Sequence, residues 1–368
     1  MRNGVERRLF IAATNQNDGK TTFSLGLVRG FADLGKRVGF VKPVGQRFVE
    51  EDGYRVDEDC LLIHRACGLE CSLTEMSPIV VGKDFTRQYL DDPDAFNSAL
   101  QRDVMESFAK AAEGNELVVV EGTGHAGVGS IFGMSNARVA KLINAKALIV
   151  TLGGIGRPVD EVAVNRSLFE KEGVPVIGVL VNKVIPDRLE RTRVYLEKAF
   201  DQCGIPLLGV VPYVSRLAWP TVQHVVDSMD AKVMNGTDRL ANPIASVIIG
   251  AMTPHNAISC IQDKALLIVP GDRDDVVLAA ISVELTRTDV KLAGILFTRG
   301  VEPRPQTLDL ISRTDIPALM AELGTYEAAA HMQDILVKIR VTEEEKINLV
   351  TSLVRERVDF DRLWSLLE

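Results

Sequence analysis

The chain has 368 residues, 46% hydrophobic and 25% charged, enough for two globular domains of ordinary composition at about 100–200 residues each. Its 42 Lys and Arg against 50 Asp and Glu give a formal charge of −8 without any Lys/Arg-rich run, which argues against a sequence-independent grip on nucleic acid. No apolar run approaches the roughly 20 residues of a membrane span, and the odd count of five cysteines fits reduced thiols in a cytoplasm.

The N-terminus, MRNGVERRLFIAAT, places arginines before an apolar stretch, but LFIAA is shorter than the roughly 7–15 residues of a signal-peptide core. It reads instead as a buried first strand, Leu9–Ala13. Further apolar runs predict strands at Arg37–Val41, Glu116–Glu121, Ala147–Leu152, Val176–Asn182 and Leu207–Val211, with helical stretches between most of them. That alternation predicts an α/β fold with a parallel, doubly wound sheet, whose ligands sit outside the carboxyl ends of the strands. Residues 215–245 break the pattern, and the polar, turn-rich SMDAKVMNGTDRLANP reads as a linker. A smaller α/β unit then follows: strand Ser246–Ile249, helix from Pro254, strand Leu266–Val269, helix from Asp274, strand Leu292–Phe297 and a helix near Gln306–Ile311. Thr342 and Glu345, spaced as a capping box, open a late helix. The expected domains are residues 1–235 and 243–368.

Chemistry concentrates at the strand ends. After the first strand comes NQNDGKTT, residues 15–22, and then the helical stretch from Phe23. Backbone N–H groups of such a loop at a helix start can cradle phosphates. Lys20 would reach the β/γ oxygens, and the Thr21 hydroxyl would coordinate magnesium. The strict GxxxxGK[ST] spacing would put glycine at Thr14. Lys42 ends the second strand, and Glu121 ends the apolar LVVVE strand, where an acid can hold the Mg²⁺–water shell. Asn182 ends another strand, where its amide could read a base edge. Asp57, Glu58 and Asp59 precede an apolar helix. Each alone could be a solvated strand-end residue; their order along the chain favours one site.

GKTT, KPV, the DED segment, VEGTG, VNKV and PLLGVVP, in that order over about residues 7–215, resemble the dethiobiotin synthetase group of P-loop ATPases, to which cobyrinate diamide synthetases are related. That family's loop reads GTxxxxGKT, so Thr14 matches its threonine and Ala13 replaces its first glycine. The resemblance implies a site for ATP and Mg²⁺. Asn17, Asp18, Gly19, Lys20, Thr21 and Thr22 would form the phosphate loop, with Lys20 and Lys42 contacting phosphate or a reacting acyl group. Thr21, Glu121 and an Asp of the 57–59 segment, with Asp59 the expected one, would hold the metal, and Asn182 would bind adenine. The implied chemistry is phosphorylation of a carboxylate or carbamate followed by attack of nitrogen. The long, glycine-rich GTGHAGVGSIFGMSNARVAKLINA after Glu121 does not match a dethiobiotin substrate site; within it, GVGSIFGMSN reads as a lid or a surface loop. Cys260, in NAISCIQD, lacks the strand–turn–helix context of a glutaminase nucleophile.

In the second unit, GAM and the PGDR turn, residues 270–273, resemble a DRTGG domain over about residues 243–350, with DRDDV in place of the name-giving motif. There Asp272 could cap the next helix and Arg273 could hold an anion. The pairing resembles the amino-terminal portion of long phosphate acetyltransferases, in which a catalytic domain follows. The sequence ends at Glu368, so the expectation is a chain lacking that domain. Two classes of function stay open. One is a nucleotide-binding regulatory protein of central metabolism, a homodimer that responds to a metabolite effector and serves a metabolic enzyme partner. The other is an ATP-dependent ligase for a small carboxylate. Cys60, His64, Cys67 and Cys71 are spaced as a helix stripe, which reads as a buried face more simply than as a metal site.

Overall fold

The computed structural model describes residues 7–368; residues 1–6, at the head of the expected first domain, lie outside the described residues. The chain divides into two compact units. The first runs through Tyr213 and resumes at Glu344–Glu368, and the second is Val214–Glu343.

The first unit is built on six strands: β1 (Arg7–Ala13), β2 (Val38–Val41), β3 (Leu117–Glu121), β4 (Lys146–Leu152), β5 (Val176–Val184) and β6 (Leu207–Pro212). They form one sheet in the order β6-β5-β4-β1-β3-β2, and every pairing is parallel. Leu117, Val118, Val119 and Val120 of β3 are all fully buried, because a parallel sheet covered on both faces demands apolar side chains in both directions. From β1 the chain crosses to β2, on one side; from β4 it crosses to β5, on the other. The order therefore reverses between β1 and β4, and the carboxyl ends of those two strands flank the crevice where such sheets take ligands.

Helix α1 (Lys20–Asp33) starts at that crevice. Its face carries Gly26 and Gly30, and two late helices, α5 (Glu344–Arg357) and α6 (Phe360–Leu366), lie against it. A Cβ at Gly26 would meet Val354 Cβ at 2.4 Å, and one at Gly30 would meet the Phe360 ring at 2.5 Å. The absent side chains are what let the helices approach. Phe31 packs edge-on to Phe360 at 4.9 Å between centroids and tilted against Trp364 at 5.4 Å. The late helix expected near Thr342 thus exists but belongs to the first unit.

The second unit holds β7 (Lys232–Asn235), β8 (Ser246–Ile249), β9 (Ala265–Pro270), β10 (Gly294–Thr298) and β11 (Ala318–Met320), in the order β7-β11-β10-β9-β8. Strands β8 to β11 are parallel, and β7 closes the edge antiparallel to β11. The segment read as a linker, residues 228–243, instead holds the end of helix α3 (Val222–Met229) and then β7. Both boundaries therefore differ from the expected 1–235 and 243–368. Residues 214–242 join the second sheet's unit, and Glu344–Glu368 return to the first. In the PGDR turn, the helix α4 (Asp274–Thr286) is preceded by Arg273 at the cap position, with no side-chain cap, so Asp272 does not cap it. Arg273 is held internally. Its guanidinium donates to Gly250 O at 3.0 Å and Met252 O at 2.9 Å, and pairs with Asp275.

Candidate functional site

At the β1/β4 crevice the chain leaves β1 at Ala13, turns through residues 14–19 and enters α1. Ala13 remains in the extended strand, opposite Val150 of β4, and is not among the residues with positive φ. Its methyl is fully buried without forcing a left-handed backbone, so the replacement of the family's glycine strains nothing here. The left-handed positions lie further on, at Asn17 (φ 66°) and Gly19 (φ 105°).

Gly19 is the N-cap of α1. A Cβ there would fall 2.0 Å from Asn182 Nδ2, so glycine is required by space as well as by φ. The first turn of α1 contains no acidic residue. Helix α2 (Glu58–Cys67), by contrast, places Glu58 and Asp59 in its first turn and is capped by Asp57. The first turn of α1 thus carries no acidic side chain of its own to compete with an anion at the positive end of the helix dipole.

Lys20 is buried beside this end, and among the described residues its ammonium makes no hydrogen bond or ion pair. Burial pulls its pKa below the ordinary lysine value, opposed by Glu121. A buried, unpaired cation is costly, and a phosphate oxygen would relieve that cost. Thr21 Oγ1 donates to Glu121 Oε1 at 3.0 Å. Glu121 is fully buried, and its Oε2 has no well-formed hydrogen bond, with Ser24 beside it. Thr22 is half-buried in the same first turn.

Lys42 directly follows β2, across the site. Its Nζ donates to Asp57 Oδ1 at 2.9 Å and also pairs with Asp59, while Glu121 Oε1 lies 3.9 Å away. Burial opposes the Lys42 charge, but Asp59, Glu121 and Asp57 together outweigh it and hold the ammonium well above its usual range. One cation cannot satisfy three buried carboxylates. Burial, with repulsion from Asp59, therefore pushes the Asp57 and Glu121 carboxyls up. Asp57 Oδ2 is left buried without a partner.

The structure brings together every expected site residue: the loop Asn17–Thr22, Lys42, Asp59, Glu121 and Asn182. Their roles differ in kind. The Asp18 carboxylate faces back into the loop, accepting from Thr14 Oγ1 and from Asn15 N, both at 2.7 Å. Asn182 Nδ2 donates to Asp18 O at 2.8 Å, and its Oδ1 accepts from Lys183 N at 2.9 Å. Sequence reasoning missed the residues that hold the surrounding loops. Asn136 Nδ2 donates to Thr123 O at 2.8 Å and His125 O at 2.7 Å, and Asn165 Oδ1 accepts from Ala126 N at 2.8 Å. The available signal was an asparagine within otherwise apolar helix faces, since a buried amide needs partners. Residues 127–136 are neither wholly a lid nor a surface loop: Phe132 and Met134 are buried in the core, while Ser130 and Ile131 are exposed. His125, just before them, is exposed and accepts from Gly127 N. Cys60 and Cys67 lie on α2, which Gly68 ends in a left-handed cap. No group of three or more His, Cys, Asp or Glu is arranged to hold a metal by itself among the described residues. A magnesium bound mainly through phosphates, water and one or two side chains needs no such group.

The AAA_26 family model, an AAA domain, matches residues 7–221, and a DRTGG domain model matches residues 224–335. The phosphate acetyltransferase of Pseudomonas putida is 29% identical over 367 residues, covering 95% of this chain and 50% of that protein. That of Nitrosomonas europaea is 26% identical over 362 residues, with the same coverage of 95% and 50%. The chain thus spans about half the length of the curated relatives it matches. Among solved structures, the MinC:MinD cell division protein complex of Aquifex aeolicus aligns at 17% identity and a TM-score of 0.36, covering 58% of this chain and 84% of that one. The CBS and DRTGG domains of the regulatory region of Clostridium perfringens pyrophosphatase align at 17% identity and a TM-score of 0.27, covering 38% and 62%. By the extent of the first family match, this chain belongs to the AAA_26 family, and a DRTGG domain follows its P-loop domain in the same polypeptide.

Proposed function

We propose that the first unit binds ATP with Mg²⁺ and that the chain is a regulatory or sensing protein of central metabolism with weak or no turnover. The observation that carries the binding is the unpaired, buried Lys20 at the acid-free start of α1. The loop N–H groups and Lys20 would hold the β- and γ-phosphates. Thr21 and Glu121, already in contact, would hold magnesium, and Glu121 Oε2, which makes no well-formed hydrogen bond, suits that role. Asp59 would join them only by sharing itself with Lys42. The bound metal would neutralise charge on the terminal phosphate.

The same geometry favours sensing over ligation. An acyl-phosphate ligase needs a second cation free to hold its substrate. Lys42 is instead closed off by Asp57 and Asp59 of its own chain. On this reading the DRTGG unit carries self-association into a homodimer and the response to a metabolite effector, and the regulated partner is a metabolic enzyme. The test is phosphate release from Mg–ATP by the purified chain, alone and with a panel of small carboxylates, diamines and bicarbonate. Tight ATP binding with negligible, unstimulated release is the expected result. Strong stimulation by one compound would overturn the sensing reading in favour of an ATP-dependent carbon–nitrogen ligase.

A further inference from the structure

Strand β5 carries an irregularity next to the phosphate loop. Its pairing with β6 steps from Val181↔Val210 to Val184↔Pro212, three residues on β5 against two on β6. The extra residue falls at Asn182–Lys183, and Lys183 has a left-handed φ of 55°. In a regular strand successive side chains point to opposite faces. A bulge breaks that alternation and re-aims side chains. Here both side chains reach the same loop. Asn182 Nδ2 donates to Asp18 O at 2.8 Å, and Lys183 Nζ donates to Asn17 O at 2.9 Å.

Those two carbonyls belong to consecutive peptides of the loop. A peptide is planar and trans, so its N–H points opposite to its C=O. Holding the carbonyls of Asn17 and Asp18 toward β5 therefore fixes the N–H groups of Asp18 and Gly19 on the other side. The left-handed turns at Asn17 and Gly19 fit this arrangement, and Gly19 has no Cβ to obstruct the Asn182 amide. The amide is itself oriented, because Oδ1 accepts from Lys183 N. Only 5% of Asn182 is exposed, and both ends of its amide are engaged.

We propose that Asn182 and Lys183 are positioning residues that set the phosphate loop for a polyphosphate, and that Asn182 does not read the base. The inference rests on the reading that the first unit binds a nucleoside triphosphate. It departs from the expectation that Asn182 binds adenine. It also assigns a role to Lys183, an exposed lysine at a strand end with no evident role in the sequence.

The test compares Mg–ATP with Mg–tripolyphosphate, which has the phosphates and no base. Binding of both to the full chain is measured by calorimetry, with tripolyphosphate also run as a competitor of ATP. The proteins are wild type, Asn182→Ala, Lys183→Met and Lys183→Arg. Loss of one loop hydrogen bond predicts that Asn182→Ala and Lys183→Met each weaken both ligands by the same factor, roughly 5- to 15-fold. The ratio of the two affinities stays at its wild-type value, the ligand-free melting midpoint of Lys183→Met is unchanged, and Lys183→Arg restores binding. If Asn182→Ala weakens ATP alone, the amide reads the base and the proposal fails while the nucleotide reading stands. If neither variant changes either affinity, the positioning role fails. If Asn182→Ala does not fold, the exposed Lys183 decides the outcome by the same ratio. Absence of ATP binding by the wild type would overturn the nucleotide reading, and this inference with it.

Discussion

Lys42 shares one positive charge among Asp57, Asp59 and Glu121, all buried. Removing one partner of a buried ionic cluster typically costs about 3–5 kcal/mol, because the charges left behind have no compensation. Lys42→Met is therefore expected to lower unfolding stability by roughly that amount near neutral pH, measured by denaturant titration. The cost has a definite pH dependence. In the variant Asp57 and Glu121 lose their cation, and their folded pKa values, already raised, move further above the unfolded values of about 4. The native state then binds more protons than the unfolded state, so stability falls as pH rises above about 4 and recovers on acidification. A variant as stable as wild type at neutral pH would show that the cluster is not the buried ionic centre described. The sequence placed Lys42, the 57–59 acids and Glu121 at one end of the sheet, because strand order along the chain implies it. It did not show that the acids pair with Lys42 rather than wait for a metal, since pairing depends on side-chain geometry. Asn182 shows the same limit: its place at a strand end was legible, but the bulge that turns it onto the loop was not.

At the scale of elements, α1 links the phosphate loop to the helices that cover it. An alanine at Gly26 would gain about 1 kcal/mol of helix propensity. Against that stands a clash with Val354 Cβ and both its methyls at 2.4–2.7 Å, atoms close to the backbone of α5 that cannot swing aside. Overpacking of this kind costs typically about 1–3 kcal/mol. Gly26→Ala should thus destabilise the chain, and Val354→Ala in the same chain should recover part of the loss. A thermal-unfolding cycle of the two single variants and the double variant would read a coupling of about 0.5–3 kcal/mol. Strict additivity would contradict the close α1–α5 packing. The six main strands of the first unit were legible as short apolar runs, with boundaries within two residues of those observed. Strand β7 was not. As an edge strand paired only with β11, its KVMN is exposed or half-exposed throughout and has no apolar run to mark it.

At the scale of the molecule, the second unit is inserted into the first: the chain leaves after Tyr213 and re-enters at Glu344. The returning residues lie beyond both family matches, which end at 221 and 335. No local pattern announces a return, because what selects it is a long-range fit between Gly26, Gly30 and the side chains of Val354 and Phe360. The fold class followed from alternation of strands and helices, whereas the domain boundaries depended on contacts that only the folded chain displays. The insertion gives the second unit two covalent connections to the first, and one of them leads into α5, which packs on α1. The proposed function requires above all that α1 receive a triphosphate at its first turn. The most direct measurement is a calorimetric titration of Mg–ATP into the wild-type chain and into Lys20→Ala. A charge-assisted hydrogen bond contributes about 1.5–3 kcal/mol, so the account predicts saturable binding by the wild type, weakened roughly 10- to 100-fold in the variant. No binding by the wild type, or equal affinity in both, would contradict it.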